Sequence, residues 1–319
     1  MKKFAKEFKT LNYVIKESAS VLLFAHTHPD GDTTGANLAM MEYIKNLGKK
    51  VDIACYDSFP EYLQKVSDQK FIHPHNLNLE DYDLVIACDS VARGFDAIQG
   101  KLKETQVTAL IDHHPDIHIQ GDINIIDATF SSACEIVYHF FIFNKIELTR
   151  PMANFIMLGI LSDTGSFQHS NTTPQVMEIA SHLIMRGSST SKIVENVFAH
   201  KEISTLKLWG KAFEKAKINP ENGMIASVLT KKDLEECNAT TDDIAQVAGI
   251  LNAVPNTKFS LILSERDGGM IKGSLRSEEY KGTDVSAIAA GFGGGGHKLA
   301  SGFEIKGKIK ETKDGWEIV

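Results

Sequence analysis

Short apolar runs recur through the first half of the chain at 20–26 (SVLLFAH), 50–56 (KVDIACY), 83–89 (DLVIACD), 107–113 (VTALIDH) and 123–127 (INIID). None alternates strictly between apolar and polar positions, which suits strands of a sheet covered on both faces. Between the first two runs, residues 33–48 carry Leu38, Met41, Ile44 and Leu47 at helical spacing, with Thr33 or Thr34 as the expected N-cap and Gly48 as the expected C-cap. Strand, helix, strand is a parallel βαβ unit, so the pattern predicts a doubly wound α/β domain. The N-terminal stretch places Phe4, Phe8, Leu11 and Ile15 on one helical stripe and is too polar for a signal peptide. From Ser131 the period becomes helical and stays so to about residue 216, with Pro151 where a first-turn proline is tolerated. After Gly223 the texture changes again: 224–230, 258–265 and 270–277 read as strands, with Arg266-Asp267-Gly268-Gly269 as a hairpin turn. A smaller α+β domain is expected there. The resulting division is 1–187, a helical linker at 188–216, and 217–319, with a cleft between the two domains.

Composition narrows the function classes. A chain of 319 residues, 43% hydrophobic and 24% charged, is globular and long enough for two domains. Lys+Arg 34 against Asp+Glu 41 gives a net charge of -7, which opposes binding of long duplex nucleic acid over the whole surface. Any phosphate-bearing substrate must meet a local site. Cys55, Cys88, Cys134 and Cys237 are scattered without a C-x-x-C pair, so no zinc knuckle or disulfide framework is expected and a reducing cytoplasm fits. No run reaches the roughly 18 apolar residues of a membrane span.

The chemistry sits where the apolar runs stop. His26-Thr27-His28-Pro29-Asp30-Gly31-Asp32 follows the first run and precedes its helix, the place where open parallel sheets bind ligands. Two aspartates so close repel unless a cation lies between them, although a solvated turn with an N-capping aspartate remains the alternative. The same mouth gathers Asp89 after VIAC and Asp112-His113-His114 after ALI, while Asp163 ends an apolar helix. Carboxylate and imidazole without thiolate favour Mn2+, with Mg2+, Co2+ or Fe2+ as alternatives, over structural zinc. Six such residues suffice for two ions if one carboxylate bridges. A two-metal site serves displacement at phosphorus, so phosphoester hydrolysis is the expected reaction. A metallo-β-lactamase pattern would need histidine where Gly31 stands.

These motifs, His26-x-x-x-Asp30-x-Asp32, Asp89, Asp112-His113-His114 and Asp163-Thr164-Gly165, resemble those of the DHH phosphoesterase superfamily. The resemblance implies one ion held by His26, Asp30 and Asp89 and a second by Asp32, Asp89, His113 and Asp163. Asp89 would bridge. It further implies that His114 stabilises charge or donates a proton near the phosphate, and that Asp112 supports the histidines. Gly293-Gly294-Gly295-Gly296-His297 resembles the signature of the DHH-associated domain. The glycine amides, Gly294, Gly295 and Gly296 among them, are expected to approach phosphate with a helix N-terminus behind them, together with His297 and Arg276. Thr33 and Ala36 depart from the residues common in the family, at positions that carry no ligand.

The two-domain arrangement is similar to the nano-RNase and pAp phosphatase group. It implies an enzyme acting on short oligoribonucleotides, 3′-phosphoadenosine 5′-phosphate (pAp) or pApA, in the cytoplasm, with no membrane partner and the oligomeric state open, a homodimer included. The alternatives are a manganese-dependent pyrophosphatase or exopolyphosphatase, and a non-catalytic nucleotide-binding module. Intact ligand types at all six positions oppose the latter. Among the other histidines, His169 is a candidate substrate contact, while His73, His75, His118, His139, His182 and His200 read as structural or solvated. Cys55 and Cys88 read as core residues, and Trp209 and the cluster Phe140, Phe141, Phe143 as helix packing.

Overall fold

The computed structural model describes residues 3–115, 117–199, 202–244, 247–312 and 315–319. The chain divides into two compact units, residues 1–200 and 201–319. His200, read above as structural, lies outside the described residues.

In the first unit the order is α1 (Ala5–Glu17), β1 (Ser20–Phe24), α2 (Gly31–Asn46), β2 (Lys50–Ala54), β3 (Leu84–Cys88), α3 (Asp96–Gln99), β4 (Val107–Asp112), β5 (Ile123–Ile126), α4 (Ala133–Phe143), α5 (Arg150–Asp163), α6 (Pro174–Met185) and α7 (Thr190–Ile193). The strands form a parallel sheet in the order β2-β1-β3-β4-β5 among the described residues. All five predicted strands are therefore present and parallel. The direction in which the chain leaves β1 reverses between β2 and β3, so the C-terminal ends of β1 and β3 flank a crevice.

Burial on both faces explains the unbroken apolar runs. Val21, Leu23, Ile86 and Ile111 enter a core with α1, α2, α4 and α5, whereas Leu22, Phe24, Val85, Ala87 and Leu110 pack against Val91, Phe95 and Ile98 on the other side. The N-terminal stripe buries Phe8, Leu11 and Ile15, and the Phe8 ring meets Phe140 and Phe143 at centroid distances of 6.0 and 5.7 Å. The four cysteines are free and buried, consistent with a packing role for Cys55 and Cys88.

Helix α2 begins at Gly31, three residues earlier than a cap at Thr33 would start it. Its N-cap is Asp30, not Thr33 or Thr34, because the Asp30 carboxylate accepts the Asp32 and Thr33 amides at 3.0 and 3.1 Å. The Thr33 hydroxyl is turned inward instead and donates to the Cys88 carbonyl. Leu47 closes the helix, and Gly48 follows it with φ 72°.

The crossing of α2 and α5 is close because three glycines line it. A Cβ on Gly31 would stand 2.7 Å from Ser162 Cβ, one on Gly35 would overlap the Phe155 carbonyl oxygen, and one on Gly159 would overlap Cys134 Sγ. That proximity lets α2, which carries Asp32, lie directly beside α5, which ends in Asp163.

The second unit contains α8 (Ile203–Glu214), β6 (Lys217–Asn219), β7 (Met224–Leu229), α9 (Lys231–Cys237), α10 (Val247–Asn252), β8 (Phe259–Arg266), β9 (Met270–Arg276), α11 (Val285–Ala290), β10 (Gly295–His297), β11 (Ala300–Lys306), β12 (Ile309–Thr312) and β13 (Gly315–Ile318). Its main sheet has the order β10-β11-β9-β8-β7-β6, with β8 and β9 joined through Gly268 and Gly269 at φ 72° and 69°. Trp209 packs against the core beneath α8, and its indole N–H donates to the Asp243 carbonyl. Among the described residues no helix is long and apolar enough to cross a membrane.

Candidate metal centre and the relatives of the chain

Each ligand-type side chain of the first unit is delivered by the end of an apolar element. Beyond β1, the His26 Nδ1–H donates to the Thr27 carbonyl at 2.7 Å and turns Nε2 toward Asp30 Oδ2 at 3.6 Å and Asp89 Oδ2 at 3.5 Å. These separations are too long for hydrogen bonds. Asp89, just past β3, has a left-handed φ of 55°, a strained conformation for a non-glycine residue and one that recurs at functional sites. It is 2% exposed.

The two oxygens of Asp89 look in different directions. Oδ2 faces His26, whereas Oδ1 lies 3.6 Å from His113 Nε2 and 3.3 Å from His114 Nδ1. His113 Nε2 is also 3.7 Å from Asp32 Oδ2 and 3.1 Å from Asp163 Oδ2. The six predicted residues thus converge, as two overlapping groups that share Asp89. His26, Asp30 and Asp89 each offer an atom within 4.8 Å of the others, and so do Asp32, Asp89 and His113, while Asp163 joins the second group through His113.

Behind these atoms lies a scaffold of hydrogen bonds. Asp32 is fully buried and its two oxygens accept the Ala133 and Cys134 amides at 2.7 and 2.9 Å, the first free N–H groups of α4. Asp112 accepts the Val91 amide at 3.1 Å, the His114 amide at 3.0 Å and the His114 ring at 2.8 Å, so it orients His114 and the turn after Asp89 together. His169 Nδ1 lies 3.2 Å from the Asp163 carbonyl oxygen, with its ring against Gly165.

The electrostatics follow from packing so many charges together. Burial pushes the His26 and His113 imidazoles down, but Asp30 and Asp89 carry His26 up to about 10, and Asp163, Asp89 and Asp32 do the same for His113. His114, likewise opposed by burial, is pushed up to about 9 by Asp112 and Asp89. Burial works against Asp89 too, yet His114 and His26 hold it well below the usual carboxylate range. Asp32 is pushed well above that range by burial and by Asp163 and Asp89.

Divalent cations fit these residues. Donors 2.0–2.1 Å from one ion at octahedral to trigonal angles stand about 2.8–3.6 Å apart, and the 3.5–3.7 Å separations here lie at or just beyond the upper end of that range. His26 Nε2 and Asp89 Oδ1 are buried with no hydrogen-bond partner among the described residues, an expensive arrangement unless a ligand completes it. The donors are oxygen and imidazole nitrogen: burial and Asp32 push the nearby Cys134 thiol well above its usual range, so it is no thiolate.

In the second unit, Gly294, Gly295, Gly296, His297 and Arg276 lie at one end of the sheet. Register sets His297 opposite Ala300, and Ala300 opposite Arg276. Directly opposed residues project to the same face, so His297 and Arg276 share a face, about 9–10 Å apart across two strand spacings, with only a methyl group between them. The next row is Gly295, Gly302 and Ser274. The Arg276 guanidinium also donates to the Leu275 carbonyl at 2.8 Å.

The glycine run differs from its expected setting. In the chain it follows the C-terminus of α11 and leads into the β10–β11 hairpin, whose turn is met by the other end of that short helix, where the Val285 amide donates to the Lys298 carbonyl at 2.8 Å. The Gly293 and Gly294 amides are engaged by the Ala290 and Ala289 carbonyls at 3.0 and 2.9 Å, so neither is directed at a ligand. Glycine is needed at 294 and 296 for packing, since a Cβ on Gly294 would overlap the Gly302 carbonyl oxygen and one on Gly296 would lie 2.7 Å from that of Ala300. Gly159 and Asn171 also support the site and carried no motif signal, because Gly159 meets Cys134 and Asp32 and Asn171 bonds Ser131, all distant in the chain, whereas Ser131 and Glu135 meet locally, four residues apart.

Comparison with known proteins accords with this geometry. Residues 20–160 match the DHH family, N-terminal domain, and residues 221–314 match the DHHA1 domain. A Streptococcus mutans protein named probable bifunctional oligoribonuclease and PAP phosphatase NrnA is 30% identical over 305 residues, covering 92% of each chain. The Bacillus subtilis bifunctional oligoribonuclease and PAP phosphatase NrnA is 29% identical over 298 residues, 90% of this chain and 89% of that one. The crystal structure of an exopolyphosphatase-related protein from Bacteroides fragilis superposes with a TM-score of 0.86 at 23% identity, covering 95% of this chain and 92% of that one. RecJ from Thermus thermophilus, solved in complex with Mn2+, superposes at 0.57 and 13% identity, covering 95% and 52%, a likeness of fold. The chain belongs to the DHH family, in the form that couples a DHH domain to a DHHA1 domain.

Proposed function

We propose that this protein is a metal-dependent phosphoesterase that hydrolyses short oligoribonucleotides and 3′-phosphoadenosine 5′-phosphate with two divalent cations, Mn2+ in the first instance. The reading rests on one observation above all: buried Asp89 turns one carboxylate oxygen to His26 and the other to His113. A carboxylate shared by two ions needs that disposition. In this reading His26, Asp30 and Asp89 hold one ion, and Asp32, Asp89, His113 and Asp163 the other. When bound, the ions supply a nucleophile from water at neutral pH and offset charge on the attacked phosphate.

The protein's own side chains do the remaining work. The α4 amides hold the Asp32 carboxylate toward the centre, and Asp112 orients His114, placing its imidazole to donate to a phosphate oxygen or a leaving group. In the second unit His297 and Arg276 form an anion-binding row, where the planar guanidinium suits a phosphate, with Gly295 and Gly302 leaving the adjoining surface low. The names of the curated relatives support the substrate class, and the net charge of -7 suits a small substrate.

The test is a product panel. Metal-stripped protein reloaded with Mn2+ is given equal amounts of pAp, a diribonucleotide, pApA and pyrophosphate. Cleavage of a nucleotide substrate with pyrophosphate untouched is expected. Cleavage of pyrophosphate alone would replace this reading with a pyrophosphatase, and inactivity on all four would leave a nucleotide-binding module.

A further inference from the structure

Asp32 and Asp163 reach the centre from different directions, and one side chain links the turns that carry them. Asn171 Nδ2 donates to the Ser131 carbonyl at 3.1 Å and to the Asp163 carbonyl at 3.2 Å. Ser131 closes the turn ahead of α4, whose Ala133 and Cys134 amides hold Asp32. Its own amide and hydroxyl donate to Glu135 Oε2 at 2.7 and 2.8 Å, leaving the carbonyl as the group that Asn171 takes. Both hydrogens needed come from a single carboxamide nitrogen.

The chain bends sharply to bring Asn171 there. Gly165, Ser166 and Phe167 follow one another at φ 55°, 58° and 69°, strained for the latter two. The turn is pinned by the Phe167 amide on the Thr164 hydroxyl at 3.1 Å and the His169 amide on the Thr164 carbonyl at 2.9 Å. Left-handed residues in succession persist only where surrounding contacts impose them. Here they return the chain to the carbonyl of Asp163 itself.

We infer that Asn171 is a positioning residue for the ion held through Asp32 and Asp163: it locks the turn before α4 to the C-terminus of α5 and so sets the spacing of the two carboxylates. The inference rests on the two-ion reading. It makes a selective claim, because His26 and Asp30 have no bond to Asn171 and their ion should not respond to it. Leucine, similar in shape, offers no donor. Outer residues that orient metal ligands typically change affinity 10–100-fold.

The experiment is a titration of metal-free protein with Mn2+ alone, following free Mn2+ by electron paramagnetic resonance, with the thermal midpoint recorded separately. The wild type is expected to bind two ions. Asn171→Leu is expected to weaken one of them 10–100-fold and leave the other unchanged, and Asn171→Ser, which keeps one donor, to weaken the same ion by about tenfold or less. Should Asn171→Leu fail to fold, the serine variant carries the test. Asn124→Leu removes a comparable pair of bonds to Gly121, made at 2.9 and 2.7 Å away from the centre, and is expected to lower the thermal midpoint without changing Mn2+ binding. A lowered midpoint with both affinities intact, or equal weakening of both ions, would reduce Asn171 to general structural support and overturn the inference. A wild type that binds fewer than two ions would overturn the two-ion reading instead.

Discussion

The crossing of α2 and α5 can be tested by adding one methyl group. In Gly159→Ala the backbone is already helical, so the substitution introduces no conformational strain, and in open space alanine would stabilise the helix by about 1 kcal/mol. At this position the new Cβ overlaps Cys134 Sγ and lies 2.8 Å from Cys134 Cβ and 2.5 Å from Asp32 Oδ1. Neither neighbour can retreat easily: Cys134 is buried with its thiol against the Asp32 and Phe155 carbonyl oxygens, and Asp32 is held by two amides of α4. Overpacking a buried site costs about 1–3 kcal/mol, and overlap this severe belongs at the upper end. After the helix gain is subtracted, a net loss of about 2 kcal/mol remains, or about 4–8 °C in the midpoint for a unit of this size. Gly210→Ala in α8 is the matched control, since nothing lies within 4 Å of its Cβ, and should stabilise the second unit by about 0.5–1 kcal/mol. Thermal unfolding of the two variants beside the wild type, with Mn2+ binding measured on each, reads out both effects. A Gly159→Ala protein as stable as wild type, with unchanged Mn2+ affinity, would refute the claim that this crossing sets the position of Asp32.

Asp89→Asn should lower turnover by at least about a thousandfold while the circular dichroism stays native, because a bridging carboxylate is lost from a site preformed by β3; turnover near wild type would sink the shared-ligand account. Arg276→Ala should raise KM for a nucleotide substrate by roughly tenfold or more and leave Mn2+ affinity alone, and an unchanged KM would remove Arg276 from the substrate row. In the second unit, burial opposes ionisation of Asp233, but Lys215 at 2.6 Å and the Thr230 amide and hydroxyl hold its carboxyl below the usual range. A depressed folded-state value contributes stability above the unfolded value of about 3.9, and that contribution is lost as pH falls through the folded value. The unfolding midpoint of this unit should therefore drop on acidification below about pH 4, and less so in Asp233→Asn; parallel pH curves would exclude that contribution.

The parts of the fold that were legible in the sequence are those whose cause is local. Runs such as DLVIACD announce a strand buried on two faces, and their charged last residues lie at the mouth of the sheet because chain direction puts them there. The cap of α2 was misassigned because Thr33 and Asp30 are both good caps, and only the tertiary bond from the Thr33 hydroxyl to the Cys88 carbonyl shows which is free to act. The glycine run is a sharper case. A string of glycines reads as a phosphate loop, but two of its amides close α11, and the side-chain-free positions are demanded by β11 packed against them. Asn171 and Ser131 carried no signal, since each matters through bonds to residues distant in sequence.

The measurement that bears most directly on the centre is anomalous diffraction at the manganese edge from crystals of the Mn2+-loaded protein. The account predicts two peaks about 3.5–4 Å apart, one beside His26 and Asp30, the other beside Asp32, His113 and Asp163, with Asp89 touching both. A single peak, or peaks that Asp89 does not join, would contradict it.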